Sequence, residues 1–371
     1  MKVAIIGAGL AGLSCALTLE KHGISADIYE KQREAGFQVT IAELMTPVIH
    51  APIKDAVKYF SENHELHLRP MTNIQKIHVH SKNESAFIEG NLGFINMRGT
   101  HEQSFEKQMA SQLNHTTIHY NHHVTHEELA EEYSPIILAS GDPCDTEHIQ
   151  PFETAFTSTF SIAIVHGNFI KTEVHTWFNN QFAPKGMAYL LPHSESEATL
   201  ALVYPQYGKQ WMTNKESFWK ETKAAVSKTL NQELSFEKEY SINDYAVGRC
   251  RYPRIGNTFF TGNCLGALTP FLGFGQTSSI LSGIYAALDI CRKGDYEKLS
   301  KQLLKDYHYS LTLRNALEHL NDHQFDLVTK SLHLPMVEKA ITSPHANFLK
   351  VLSQILRPFI KSSEQKLDGN D

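Results

Sequence analysis

The chain has 371 residues, room for two or three domains at roughly 100–200 residues each. Apolar residues make up 42% and charged residues 20%, an ordinary globular balance that excludes a disordered chain, and a net charge of −6 leaves no basic surplus for nucleic acid. No stretch reaches the roughly 18 apolar residues of a membrane span, the start does not read as a secretory signal, and Cys15, Cys144, Cys250, Cys264 and Cys291 are scattered without a CxxC pair, so a reduced cytoplasmic setting is expected.

In chain order, Val3-Ala4-Ile5-Ile6 is a short apolar run, β-branched at three of four positions, and predicts a buried parallel strand. It leads straight into Gly7-Ala8-Gly9-Leu10-Ala11-Gly12. A helix with an apolar face is expected over Leu13 to His22, with Gly23 placed to cap it. A strand over Ala26 to Tyr29 follows, ending at Glu30 and Lys31. This is a βαβ dinucleotide signature in which each part has a mechanical reason. Gly7 allows the tight turn, Gly9 lets the backbone approach a pyrophosphate, and Gly12 lets the helix pack close to the sheet. The helix N-terminus offers free N–H groups to phosphates. Glu30, 18 residues past Gly12, is placed to accept both hydroxyls of an adenosine ribose, and its charge disfavours a 2′-phosphate.

A helix is expected over Ser104 to Leu113 and a strand over Thr116 to Tyr120. His115, His119, His122, His123 and His126 crowd this stretch, but a strand would point His122 and His123 opposite ways. They read as solvated surface, and no metal site is expected. Pro135 to Leu138 predicts another buried strand, ending in Ala139-Ser140-Gly141-Asp142. Residues 150–245 are strand-rich, with strands expected over Phe160–Val165, Val174–Phe178, Met187–Leu191 and Thr199–Val203, and residues 70–97 are expected to join the same sheet. Gly256 to Phe260 then runs through Gly262 and Asn263 to a loop, Pro270-Phe271-Leu272-Gly273-Phe274-Gly275, that opens a helix over Gln276 to Cys291. Further helices are expected over Tyr296–Arg314, Ala316–Leu332, Pro335–Thr342 and Ala346–Ile360, with a disordered polar end from Ser362. The Ala346–Ile360 helix carries an apolar stripe, read as packing on the body of the protein, with contact at a membrane surface as the alternative.

Several of these stretches carry a family resemblance. Ala139-Ser140-Gly141 resembles the A-[TS]-G turn by which flavoproteins return the chain to the nucleotide. Gly262 to Gly275 resembles a second flavin motif, in which a strand ends in Gly-Asp and P-x-x-G-x-G opens a helix. Pro270, Gly273 and Gly275 hold that spacing, while Asn263 stands where the motif has Asp. Ser282-Gly283 and Ala286-Ala287 match an S-G-x-x-A-A pattern, and Tyr189 and Pro192 match a G-x-x-[WY]-x-[FI]-P substrate-sheet motif. Over residues 1–290 the chain resembles the geranylgeranyl reductase-like branch of the FAD-dependent oxidoreductases, which share the p-hydroxybenzoate hydroxylase-type fold.

The resemblance implies an α/β fold, with a doubly wound Rossmann-type FAD-binding domain (residues 1–70, 97–150 and 250–295), an inserted β-sheet substrate domain (71–96 and 151–249) and a C-terminal helical region (296–371). It implies FAD contacts from Gly7, Ala8, Gly9, Leu10, Ala11, Gly12, Glu30 and Lys31 at the adenosine end. Ala139, Gly141, Asn263, Pro270, Gly273, Phe274 and Gly275 are implied along the remainder. The Ser104–Leu113 helix resembles the family's R-x-x-[FL]-[DE]-x-x-L-A helix with Glu102 in the Arg position, which leaves Arg98 to supply the cation. The Cys that some family members place after the first βαβ unit has no counterpart between Gly36 and Ala51.

The implied activity is hydride transfer from reduced flavin to an unsaturated apolar substrate, isoprenoid or lipid-like, with Tyr189, His193 and His175 as candidate proton donors. NAD(P)H or another external donor would reduce the flavin. The alternatives are a flavin monooxygenase using NAD(P)H and O₂, and a non-catalytic flavin-binding protein. The reading requires the opening glycine turn and the Pro270–Gly275 loop to converge on the two ends of one nucleotide.

Overall fold

Strand β1 (Val3–Ile6) is buried at all four positions, as a parallel strand covered on both faces requires. The computed structural model describes residues 2–36, 39–46, 53–207 and 214–334. Helix α1 (Leu10–Lys21) starts three residues earlier than the apolar pattern alone places it, because Gly9 is its N-cap and the second half of the glycine turn is already helical. There follow β2 (Ala26–Glu30), β3 (Ile41–Met45), α2 (Ala56–His64), β4 (Thr72–Asn73), β5 (Lys76–His80), β6 (Ser85–Glu89) and β7 (Phe94–Arg98). Next come α3 (Phe105–Ala110), β8 (Thr117–Tyr120), α4 (His126–Ala130), β9 (Ile136–Leu138), α5 (Cys144–Glu147) and β10 (Phe152–His166). The chain continues through β11 (Glu173–Trp177), β12 (Met187–Pro192), β13 (Glu197–Gln206), α6 (Lys215–Leu230), β14 (Ser235–Cys250), β15 (Arg254–Ile255) and β16 (Thr258–Phe260). Three helices close the described chain: α7 (Gln276–Ile290), α8 (Tyr296–Glu318) and α9 (Asp322–Ser331).

Three sheets result. The first has the order β15-β16-β9-β1-β2-β8, and its strands are parallel except for the β15 edge. Its parallel strands therefore end on one side, and the turn after β1, Glu30 at the end of β2, Ala139 after β9 and Gly262 after β16 share that edge. The second has the order β14-β10-β13-β12-β11-β5-β6, antiparallel apart from the β11–β5 pair. A small sheet, β3-β7-β4, lies between them, and the Ala42 N–H donates to Thr199 Oγ1 on β13 at 3.1 Å.

Two strands of the large sheet are longer than the apolar runs suggest. β10 has 15 residues and β14 has 16, and β14 is an edge strand whose charged residues face solvent. Helix α6 also lies outside the expected pattern, because it buries only Thr222 and Val226 and so carries little apolar periodicity. The expected helix Ala316–Leu332 is instead divided: α8 runs on to Glu318, and Asn321 starts α9 with a reciprocal capping box to Gln324. The expected helices over 335–342 and 346–360, and the polar end, lie outside the described residues.

Helices α1 and α7 cross at very short range. A Cβ at Gly283 would sit 2.0 Å from the Ala11 carbonyl oxygen and 2.3 Å from Ser14 Oγ. Ser14 Oγ donates to the Ile280 carbonyl at 3.0 Å, and Ser282 Oγ accepts from the Gly262 N–H at 2.8 Å. The crossing thus locks the helix after the first glycine turn to the helix after the last. Gly283→Ala should cost about 1–3 kcal/mol of stability through overpacking, read as a lower urea midpoint at unchanged slope.

Candidate functional site

One cavity of about 1050 Å³ runs from the carboxyl edge of the parallel sheet to the inner face of the seven-stranded sheet. Its volume is at the upper limit of ordinary small-molecule pockets. Gly7, Gly9, Leu10, Ala11, Glu30 and Lys31 line one end. Ala139, Gly141, Asn263, Gly273, Phe274 and Gly275 continue the wall. The opening glycine turn and the late glycine loop therefore face one groove. Ala8 and Gly12 stand behind it: Ala8 is fully buried, and a Cβ at Gly12 would meet the Gly7 carbonyl oxygen at 2.0 Å. Pro270 lies on the far side of its loop, in a small separate hollow with Arg314 and Leu317.

Glu30 is buried, with Oε2 accepting from the Ala8 N–H and Oε1 from the Gln32 N–H, each at 2.8 Å. A carboxylate has about four acceptor positions, so two remain for hydroxyls arriving from the cavity. Helices α1 and α7 begin at Gly9 and Gly275 with no side-chain cap, so each presents unpaired N–H groups and a partial positive charge. A Cβ built at Gly9 meets nothing within 4 Å, which marks open space that a ligand would occupy. Gln276, the first residue of α7, is 5% exposed and lines the cavity, and neither atom of its carboxamide has a hydrogen-bond partner. A buried donor–acceptor pair of this kind calls for a ligand edge carrying the complementary groups. The composition of this end fits a flavin dinucleotide.

Arg98 lies in the cavity wall, but its guanidinium is held by two carboxylates. Nε donates to Glu106 and Nη1 donates to Glu43 at 2.8 Å. Glu102, at the family's Arg position, points away: it is 93% exposed and pairs loosely with Lys107. The cation is thus inside the site with its charge already matched, and the second Glu106 oxygen is buried without a partner. Asn263 donates from Nδ2 to the Tyr245 hydroxyl, and both residues line the cavity. Burial, followed by the Glu43 carboxylate, pushes the Tyr245 phenol up to about 12 and the Tyr189 phenol further still. Glu43, Gln276 and Tyr245 carry no local motif. For Gln276 alone a signal existed, its place at the first helical position after the glycine loop.

The histidine candidates sit elsewhere. Along β11 successive side chains alternate between faces. Val174 packs with Ile77, Tyr189 and Leu191 on the cavity side. The His175 ring lies on the opposite side, stacked on His78 at 4.3 Å and hydrogen-bonded to His80 at 3.1 Å. His175 is among the residues that line the cavity, with its ring engaged in this stack. His193 is buried beyond the end of β12, outside the cavity wall, with Nε2 unpartnered and His101 beside it at 6.5 Å. The alternation that turns Tyr189 toward the cavity turns the His175 ring toward the histidine stack. Among the described residues no group of three or more His, Cys, Asp or Glu could hold a metal ion, and no helix is long and apolar enough to cross a membrane.

A family profile described as an NAD(P)-binding Rossmann-like domain matches residues 5–68. Solved structures match nearly the whole chain. A geranylgeranyl bacteriochlorophyll reductase-like protein from Thermoplasma acidophilum superposes with a TM-score of 0.72 at 12% identity, covering 99% of this chain and 98% of that one. The fold is that of the FAD-dependent oxidoreductases. The flavin-dependent brominase Bmp2 superposes at a TM-score of 0.60 and 15% identity, covering 99% of this chain and all of that one, 100%. The flavin-dependent monooxygenase PieE, solved with FAD and substrate, superposes at 0.59 and 11% identity, covering 96% of this chain and 72% of that one.

Gly9 separates binding from folding. Gly9→Ala should cost no more than about 1 kcal/mol of stability, because the methyl meets no protein atom and only the N-cap preference for Gly over Ala is lost. The same methyl enters the groove, so FAD titrated against the variant should bind at least about tenfold more weakly, a loss of about 1.4 kcal/mol. A second expectation concerns pH. Burial pulls His193 and His80 down to about 4 and His175 to about 3, against 6.5 for an exposed histidine. Between pH 6.5 and 4 the unfolded chain binds protons that the fold refuses, so these groups contribute stability above pH 6.5 that is lost as the pH falls. His193→Gln should make the fall of the urea-unfolding free energy between pH 6.5 and about 5.5 shallower than in the parent protein.

Proposed function

We propose that the protein binds FAD across this cavity and reduces an unsaturated, apolar substrate, isoprenoid or lipid-like. The observation that carries the reading is the continuity of the cavity: a polar groove with two uncapped helix N-termini opens without interruption into an apolar chamber. Glu30 would hold the ribose hydroxyls, and the N-terminus of α1 the pyrophosphate. The N-terminus of α7 and the Gln276 carboxamide would face the pyrimidine edge of the isoalloxazine, where negative charge develops on reduction. Bound and reduced, FAD supplies a hydride. NAD(P)H is the proposed donor that reduces it.

The chamber is walled by Ile77, Val79, Val174, Met187, Leu191 and Phe178, with their neighbours on the seven-stranded sheet. Such a wall binds hydrocarbon and excludes water from the reacting carbons. Tyr189 is the one candidate proton donor whose side chain faces this chamber, and burial keeps its phenol protonated across the physiological range. It would supply the proton that completes reduction of a polarised double bond.

The test is anaerobic. Protein loaded with FAD and reduced with dithionite is mixed with an unsaturated prenyl alcohol, following flavin absorbance and product mass. Return of the oxidised flavin spectrum with a product heavier by two hydrogens supports the reading. Reoxidation that occurs only when O₂ is admitted, with oxygen in the product, selects the monooxygenase instead. Protein that never acquires a bound-flavin spectrum leaves a non-catalytic role. Tyr189→Phe should lower the rate of substrate-dependent reoxidation by roughly 10²–10⁴-fold while leaving FAD affinity unchanged.

A further inference from the structure

The chamber is not walled by the sheet alone. The end of α8, the residues after it and α9 add Leu317, Leu320, Phe325, Val328 and Leu332 to its lining. Phe325 is 4% exposed and stacks on Phe178, the residue that follows β11, with ring centroids 5.6 Å apart and planes 19° from parallel. Both residues line the cavity, so together they make a rigid aromatic part of its wall.

Helix α9 is held against the large sheet by polar clamps. The Asp326 carboxylate accepts from Ser81 Oγ at 2.6 Å, the Asn83 N–H at 3.0 Å and Asn83 Nδ2 at 2.7 Å, all in the turn between β5 and β6. Asp322 accepts from the Asn180 N–H at 2.9 Å and from Lys82, while Asn180 Nδ2 donates to the Leu320 carbonyl. The same helix pair buries Phe271 of the late glycine loop against Leu313 and Leu317, and Ser310 Oγ accepts the Phe271 N–H at 2.7 Å. The stack therefore belongs to one packed cluster with Phe271, Leu272 and Phe274 of the loop that borders the flavin end of the groove, which fixes its position relative to that loop.

We infer that the Phe178–Phe325 stack is a length gauge: it sets the longest unbranched apolar chain that fits between the cofactor end of the cavity and α9. Phe325 is then the specificity-determining residue, and Asp326 the residue that positions it. The inference rests on the apolar-substrate reading above and adds to it a selection by chain length. A chain shorter than the limit gains from each carbon buried, and a longer one gains nothing because its end meets the rings.

The experiment is calorimetric titration of the protein, with FAD added, by 1-alkanols from butanol to dodecanol. In the wild type each added methylene should tighten binding about fourfold up to a cut-off length and not beyond it. Phe325→Ala should move the cut-off to longer chains, so that the first alkanol past the wild-type limit binds about fourfold or more tightly than to the wild type. Val328→Phe, which removes no core atoms and fills the chamber from the same helix, should move the cut-off to shorter chains while leaving butanol unchanged. Opposite shifts support the gauge, even if the Ala variant proves poorly folded and only the shortening is read. One cut-off shared by all three proteins overturns it while leaving the apolar-substrate reading in place. No binding by any alkanol overturns both. Cut-offs that move as expected in a protein that reduces no alkene support the gauge and overturn the reductase assignment.

Discussion

The contact between Gly283 and the Ala11 carbonyl is the constraint from which the site follows. Helices α1 and α7 can approach this closely only because α7 presents no Cβ at Gly283, where the Ala11 carbonyl and the Ser14 hydroxyl of α1 fill the space. Once they touch, their N-terminal ends open on the same groove. Each end is an uncapped set of N–H groups, and two such partial charges side by side are costly to leave facing an apolar cavity. They make sense as a grip on a ligand that is anionic at one point and becomes so at another. The Ser14 hydrogen bond ties α1 to α7, and the Ser282 bond ties α7 to the Gly262 turn, so the spacing between the two grips is set by the fold.

The same economy governs the other wall. A seven-stranded sheet with period-two alternation divides its side chains into two populations. One set, including Ile77, Val79, Val174, Tyr189 and Leu191, turns toward the cavity. The other set packs Trp177, Leu190 and Leu202 into a separate core shared with Val226 of α6. Chemistry can be offered to the chamber only from the first set, which is why a tyrosine reaches it and the stacked histidines do not. Acidic groups near the junction are paired locally, with Glu43 and Glu106 sharing Arg98.

Much of the nucleotide end was legible in the chain because its determinants are local. Gly7, Gly9 and Gly12 act within one turn, and Glu30 is reached by one helix and one strand, so spacing along the sequence is spacing in space. The Pro270–Gly275 loop was legible for the same reason, as a strand end followed by a helix start. Its partner across the groove was not, since Asn263 hydrogen-bonds to Tyr245, a residue on a long edge strand whose charged alternation hides it. Arg98 was proposed from its proximity to α3, and it lies in the cavity wall. Its occupation by Glu43 depends on a strand pairing across more than fifty residues, which no local pattern encodes.

The sequence by itself determined the βαβ unit, the second glycine loop and the strand-rich segment between them, because each depends on short-range periodicity and on backbone freedom at particular glycines. Tertiary structure alone decided which side chains meet in the cavity. Strand register sent the His175 ring away and kept Tyr189, a capping box at Asn321 broke one expected helix into two, and the second piece became part of the chamber wall. Those outcomes are set by pairings between distant segments, where the free energy belongs to the contact and not to either stretch of chain.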